Sequence, residues 1–375
     1  MEYTSLSQIK INSFLKDLIQ IPTENPPGFT KEIVDFLTSE VLTEDQGFEN
    51  KVIAHNKNGI TLHNLVSKIG IGNTKIILSG HFDVVPVGNL DDWNVDPFSG
   101  KIIGKYMYGR GSADMKSGLV ALLTTMKVLS HVPKFLEKCT LIFAGTSDEE
   151  SGMTGAQKLY KMGIMNDASI LIVAEPTKLK IGVAEKGLLW LSVTFKGRSA
   201  HGSMPHEGVN AIEKAMRFLP KIKDNIEKNQ NPILGKSTVN IGTIKGGTII
   251  NIVADKTTVE LDYRLIPEDN SDMLIQKLKE IDEDCDVKII KTLPALESNI
   301  EHPFIKNLKN VAKTEFIGLS YATDAAELIK YGNKIPFVIF GPGDPVHIHK
   351  NDERVNIEDV FTATKILIDT LLMTY

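Results

Sequence analysis

The fold class that the sequence predicts is α/β, a mostly parallel sheet with helices on both faces, joined to a separate α+β insertion. Three observations carry it. Short apolar runs at Ile76–Leu78, Cys139–Ala144, Ile170–Ala174 and Ile335–Phe340 have the length and continuity of strands buried on both sides. Helical patterns lie between them, notably Leu119–Leu129 and Phe361–Leu372, and strands alternating with helices imply parallel pairing. From about Ile181 to Ile290 the pattern changes to alternating, half-buried strands, which marks the insertion.

The chain opens with a helix. Ile9, Ile11, Phe14, Leu15, Leu18 and Ile19 recur at helical spacing, and Ile21-Pro22 with Asn25-Pro26-Pro27-Gly28 ends the run in a turn. The insertion reads as strands Leu188–Phe195, Thr238–Ile244 and Thr257–Leu265 with helices Asn210–Ile226 and Asp272–Glu283, a strand-helix-strand-strand-helix order. After it the first pattern resumes. Residues 1–180 and 291–375 are therefore expected to form one domain around a smaller one at 181–290, and 375 residues suffice for both.

Composition narrows the function classes. A net charge of -5, from 47 acidic and 42 basic residues without blocks of like charge, offers no footprint for nucleic acid or an anionic membrane. A small-molecule substrate is the expectation. Glu2, Lys10, Lys16 and Asp17 interrupt the apolar positions of the first twenty residues, which excludes a signal peptide or membrane span there and points to the cytoplasm. Cys139 and Cys285 are too few for a disulfide framework or a thiolate metal site.

Four strand-like runs end in potential metal ligands. The first leads into Gly80-His81-Phe82-Asp83, where His81 and Asp83 share a side if the extended geometry continues. The others lead into Ser147-Asp148-Glu149-Glu150, into Glu175, and into His347-Ile348-His349. Ligands of open α/β sheets bind beyond the carboxyl ends of the strands, so these groups can converge. A fifth segment, Gly109–Gly118, contributes Asp114 just before an apolar helix. Singly, each residue has an ordinary reading: Asp114 as a helix N-cap, His81 as a hydrogen-bonded histidine, Glu149-Glu150 as a solvated loop, His347 and His349 as surface groups. Jointly they would bury uncompensated negative charge unless cations were present. Imidazole and carboxylate ligands without thiolates suit Zn, Co or Mn. Two such ions about 3.5 to 4 Å apart can share a carboxylate and bring the pKa of a water toward neutrality. An unligated carboxylate beside them can act as general base.

The segments Ser79-Gly80-His81-Phe82-Asp83-Val84-Val85-Pro86, Gly109-Arg110-Gly111-Ser112-Ala113-Asp114-Met115-Lys116, Ser147-Asp148-Glu149-Glu150, Ala174-Glu175-Pro176-Thr177 and His349-Lys350-Asn351-Asp352-Glu353 resemble the M20 metallopeptidase family. Within it the chain is similar to the branch of succinyl-diaminopimelate desuccinylases and acetylornithine deacetylases. The likeness runs from the Pro-Pro-Gly near residue 27 to the last helix. It implies a zinc-peptidase-like catalytic domain carrying an inserted ferredoxin-like lid that usually forms a homodimer. It also implies that His81 and Glu175 hold one divalent ion, that Glu150 and His349 hold the other, and that Asp114 bridges them. Glu149 would be the general acid and base, and Asp83 would orient His81. His349, rather than His347, falls where the family's segment places the last ligand.

The same resemblance extends into the insertion. Gly197-Arg198-Ser199-Ala200-His201-Gly202-Ser203-Met204-Pro205 matches the lid signature whose histidine, here His201, reaches an active site, often the partner subunit's, and polarises the scissile carbonyl. Asn251 and Arg264 match positions that grip a substrate carboxylate, for which the guanidinium fork is suited. A surface ion pair is the plainer reading of Arg264 in its alternating strand. Glu175, where the dipeptidase and tripeptidase branches carry aspartate, favours an acyl-amino-acid hydrolase or a carboxypeptidase. Tyr321-Ala322-Thr323-Asp324-Ala325 lacks the paired glycines of many desuccinylases and deacetylases, which implies an altered substrate pocket. The expected activity is two-metal removal of an acyl group from an N-acyl amino acid, with a metallo-carboxypeptidase acting on short peptides as the alternative. A non-catalytic metal-binding homologue is the rival of another class, and it has no need of Glu149, Asp83 or His201.

Overall fold

A computed structural model describes residues 7–222, 229–330 and 334–375. They divide into two units, Met1–Val183 with Ser298–Ile317 and Thr323–Tyr375, and Ala184–Glu297 with Gly318–Ala322. The insertion expected at 181–290 thus extends to residue 297, and its lower bound falls inside the strand Ile181–Glu185.

The four apolar runs become four adjacent strands of the first unit. In sheet order they are Cys139–Thr146, Thr74–His81, Ala168–Val173 and Phe337–Ile339, all parallel. Every residue of Cys139–Thr146 is buried, as a continuous apolar run requires when helices cover both faces. Parallel pairing puts the carboxyl ends together, with His81 opposite Thr146 and Ser79 opposite Val173. The hairpin Glu49–Lys57 and Ile60–Ile69 extends the sheet antiparallel beyond Cys139–Thr146, and Ile181–Glu185 joins antiparallel at the other side.

Helices Gln8–Ile19, Ser117–Leu129, Pro303–Ala312 and Ile357–Thr374 pack on one another in one layer, and Thr154–Lys161 packs with Asp324–Ile329 in another. Ser117–Leu129 is buried along almost its whole length because it is apolar on all sides. It approaches the sheet so closely that a Cβ on Gly118 would lie 2.0 Å from the Ala174 carbonyl oxygen. A small sheet of Lys101–Ile103, Tyr106–Tyr108 and Arg354–Asn356 completes the unit.

The second unit is a four-stranded antiparallel sheet in the order Thr238–Gly246, Lys256–Leu265, Gly187–Lys196, Asp286–Leu293. Helices Ala211–Ile222 and Ser271–Ile281 contribute Phe218, Ile222, Leu274 and Leu278 to a core shared with Leu191, Phe195, Leu261 and Tyr263. This is the βαββαβ order of a ferredoxin-like fold. The fourth strand, Asp286–Leu293, was not expected from the sequence, because most of its residues are exposed and carry no alternating pattern. The helix expected over Asn210–Ile226 is observed as Ala211–Ile222, and residues 223–226 lie outside the described residues. Cys139 and Cys285 are buried and free. Among the described residues no helix is long and apolar enough to cross a membrane.

Candidate metal centre

His81 is the last residue of its strand, and its Nδ1 donates to the Asp83 main-chain oxygen at 2.8 Å. With that proton committed, a neutral His81 presents a bare Nε2 to Asp114 Oδ1 at 3.2 Å and Glu175 Oε1 at 3.6 Å. A lone pair facing two carboxylates is repulsive unless a cation lies between them or the ring takes a second proton. On the other side of Asp114 the pattern repeats. His349 Nε2 lies 3.4 Å from Asp114 Oδ2 and 3.1 Å from Glu150 Oε2. Each oxygen of one carboxylate therefore serves a separate imidazole and glutamate, and ligand atoms of His81, Asp114 and Glu150 lie within 4.8 Å of one another.

Asp114 is not a helix cap. Its backbone is non-helical at φ -121° and ψ 98°, the helix starts at Ser117, and no side chain caps it. The side chain is thereby free to point at the two imidazoles. His349 adopts φ +58°, a left-handed conformation uncommon for a side-chain-bearing residue and concentrated at functional sites. His347 makes none of these contacts; its amide bonds the Asp344 carbonyl.

Electrostatics mark the same cluster. Burial, and then the Glu175 and Glu150 charges against the pull of His81, pushes the Glu149 carboxyl well above its ordinary range. Burial and then Asp114 do the same for Glu175, once the opposing His81 is set aside, and burial with Asp114 raises Glu150. Burial alone would depress His81, yet Glu175, Asp114 and Glu149 hold it well above the usual imidazole value. Hydrogen bonds from His349 and His81 overcome burial and keep Asp114 well below the carboxylate range. So many buried carboxylates competing for two imidazoles are what bound cations would relieve, and the donor set is that of Zn, Co or Mn. The residues fit a pair of divalent ions.

Asp83 departs from the expected geometry. The strand ends at His81, and the Asp83 carboxylate is 3.9 Å from the His81 ring while its main-chain oxygen makes the contact. The carboxylate instead accepts the amides of Glu149 at 3.1 Å and Glu150 at 3.2 Å and the Asn25 side-chain amide at 2.8 Å. It therefore positions both glutamates as well as the histidine.

Three further residues of this unit received no role from the sequence. Asn25, beside the Pro-Pro-Gly turn, bridges Asp83 and Asp148. Asp324 is buried beneath the strand ends, hydrogen-bonded by the Thr146 hydroxyl, and burial with Asp83 and Glu327 pushes its carboxyl up to about 7 against the Thr146 bond. Glu353 is buried behind Asp114. All three lie in or beside motifs quoted above, so their motif membership was the available signal. A cavity of about 510 Å³ lined by Ile11, Phe14, Phe36 and Val128 contains none of the residues named here.

His201, Asn251 and Arg264 belong to the second unit. His201 is exposed, its Nδ1 is 2.7 Å from Ser203 Oγ, and it forms a β-bridge with Ile252. The neighbouring Gly202 amide donates to the Asn251 carbonyl at 2.7 Å, so the His201 and Asn251 loops lie side by side. Arg264 is held by Asp262, Nε to Oδ1 at 2.9 Å and Nη2 to Oδ2 at 3.1 Å. Its plainer reading, an ion pair, describes this state.

Residues 77–373 match the model of peptidase family M20/M25/M40. The chain belongs to this family. It is 30% identical to a probable succinyl-diaminopimelate desuccinylase of Staphylococcus epidermidis over 94% of each chain, and 29% identical to an acetylornithine deacetylase of Buchnera aphidicola over 92% of this chain and 93% of that one. The fold is similar to that of an aminopeptidase PepT from Bacillus cereus, with a TM-score of 0.79, 23% identity and 98% of each chain covered. As an M20 member the protein is a metal-dependent hydrolase of amide bonds.

Proposed function

We propose that the protein removes an acyl group from an N-acyl amino acid, as a two-metal deacylase of the desuccinylase and deacetylase kind. The observation that carries this reading is the division of Asp114: one oxygen faces His81 and Glu175, the other His349 and Glu150, with Glu149 left over beside them. His81, Glu175, Glu150 and His349 would hold two divalent ions, most simply Zn, bridged by Asp114. Bound there, the ions supply Lewis acidity and a water acidic enough to lose its proton near neutral pH. Glu149, a carboxylate beside the ligands and not needed to hold either ion, would take a proton from the attacking water and deliver it to the leaving amine. Asp83 holds Glu149 in place through its amide, and Asp83's main-chain oxygen fixes the tautomer of His81.

The second unit would serve as a dimerising lid. His201 would donate to the developing oxyanion, in the partner's site of a homodimer, and Asn251 and Arg264 would bind the substrate carboxylate. For that, Arg264 must exchange Asp262 for the substrate. The names of the curated relatives support an acyl substrate, and Glu175 agrees with it. A carboxypeptidase would use the same ions and base and differ on the acyl side of the bond. Hydrolysis of matched N-succinyl, N-acetyl and peptidyl amino acids separates the two. Preferred release of an amine from a succinyl or acetyl compound is expected, and preferred release from peptides would overturn the deacylase assignment.

A further inference from the structure

Arg110 and Glu353 belong to the ligand-bearing segments, yet neither is among the candidate metal ligands. Glu353 is 1% exposed and four N–H groups surround its carboxylate. Oε1 accepts the amides of Ala113 at 2.8 Å and Asp114 at 3.0 Å, while Oε2 accepts the Gly111 amide at 3.1 Å and Arg110 Nη1 at 2.8 Å. The Arg110 guanidinium also donates to the main-chain oxygens of Lys350 at 3.1 Å and Pro86 at 3.3 Å, and stacks 5.1 Å from the Trp93 ring. One buried ion pair thus ties together the segment that follows His81, the turn that carries Asp114, and the segment that carries His349.

A buried ion pair is a costly way to fill a core, and in some proteins it serves to fix a geometry rather than to add stability. Here the geometry is specific, because the Asp114 amide is bonded to Glu353 while its side chain divides between two imidazoles. We infer that the Arg110–Glu353 pair is a positioning device for the metal centre, setting Asp114 and His349 relative to each other. The inference rests on the two-metal reading above. It makes an asymmetric demand: His81 stands on a sheet strand and is fixed by Asp83, whereas His349 stands in an irregular segment that the Glu353 carboxylate bonds to the Asp114 amide, beside a main-chain bond from Gly109 and the pairing of Arg354–Asn356 with Tyr106–Tyr108. Loss of the pair should therefore loosen the His349–Glu150 half of the centre and spare the His81–Glu175 half.

Zinc titration of the metal-depleted protein against a chromophoric chelator, with the visible spectrum of the cobalt form as a second readout, tests this. The unaltered protein should bind two ions. Glu353→Gln, which cannot accept all four donors, should weaken one ion by about 10- to 100-fold and leave the other within about threefold. Arg110→Lys, which keeps the charge and loses the fork, should weaken the same ion by less. Should Glu353→Gln fail to fold in urea-monitored refolding, Arg110→Lys carries the comparison. Two unchanged affinities in the folded variants, or equal loss of both ions, would overturn the inference while leaving the two-metal reading intact. Failure of the unaltered protein to bind metal would overturn both.

Discussion

At the residue scale, the chemistry depends on Glu149 doing what no ligand can do. It is a carboxylate with a raised pKa held by its own amide on Asp83, next to a glutamate that pairs with His349. Glu149→Gln should lower kcat by about 10²- to 10⁴-fold while two ions still bind. Steady-state kinetics with parallel metal analysis checks this, and near-normal turnover would remove Glu149 from the mechanism. The candidate ligands His81, Glu150, Glu175 and His349 were legible in the sequence because each follows an apolar run, and Asp114 because it precedes an apolar helix. Their partners were less so. The carboxylate of Asp83 turns to two amides rather than to His81 because the strand stops one residue after Gly80, and nothing in a two-residue spacing reports where a strand stops. Asp114 resembled a cap for the same reason: a carboxylate just before a helix has that role unless the backbone turns away, as it does at Asp114 and Met115.

At the element scale, the four parallel strands were readable because burial on both faces leaves continuous apolar runs. The hairpin of Glu49–Lys57 and Ile60–Ile69 was not among the expected strands; its turn, Asn58-Gly59, with positive φ values of 52° and 87°, forms the two-residue loop that matches strand twist. Asp286–Leu293 is an exposed edge strand and had no comparable signal. The close approach of Gly118, in the helix Ser117–Leu129, to Ala174, just past the strand Ala168–Val173, makes a test at this scale. Gly118→Ala would drive a methyl into the Ala174 carbonyl, next to Glu175. A loss of about 1 to 3 kcal/mol is expected from such overpacking, with weaker metal binding in the folded protein. Urea unfolding and metal titration measure the two effects, and an unperturbed variant would show that the helix is free to shift.

At the scale of the whole molecule, metal and stability are linked. Without metal, burial raises Glu149, Glu150 and Glu175, and carboxylate neighbours raise His81 and bring His349 to about 10. The folded chain then keeps protons that the unfolded chain loses near 4.5 and 6.5, the ordinary values of these groups. Native states that bind more protons lose stability as pH rises. Thermal melts of the chelated protein should therefore fall in Tm from about pH 5 to about pH 7, above which Lys116, lowered to about 7 by burial, acts in the opposite direction; the metal-loaded protein should show a flatter profile. A chelated Tm that climbs over this range would contradict the protonation pattern. The proposed role of His201 in a partner's site has its own consequence. Mixing inactive His201→Ala and Glu149→Ala subunits under exchange conditions should restore part of the activity, since one site of each mixed dimer regains both groups. No recovery despite demonstrated exchange would assign His201 to its own chain.

The central claim is that hydrolysis requires two ions at the Asp114 centre. Its most direct test is a titration of metal-depleted protein with Zn, Co or Mn, following amine release from the best N-acyl amino acid alongside metal uptake. Activity that is absent at first and climbs with uptake to two equivalents is the expected result. Full activity after depletion, or uptake of two ions with no turnover of any acyl or peptidyl substrate, would contradict it.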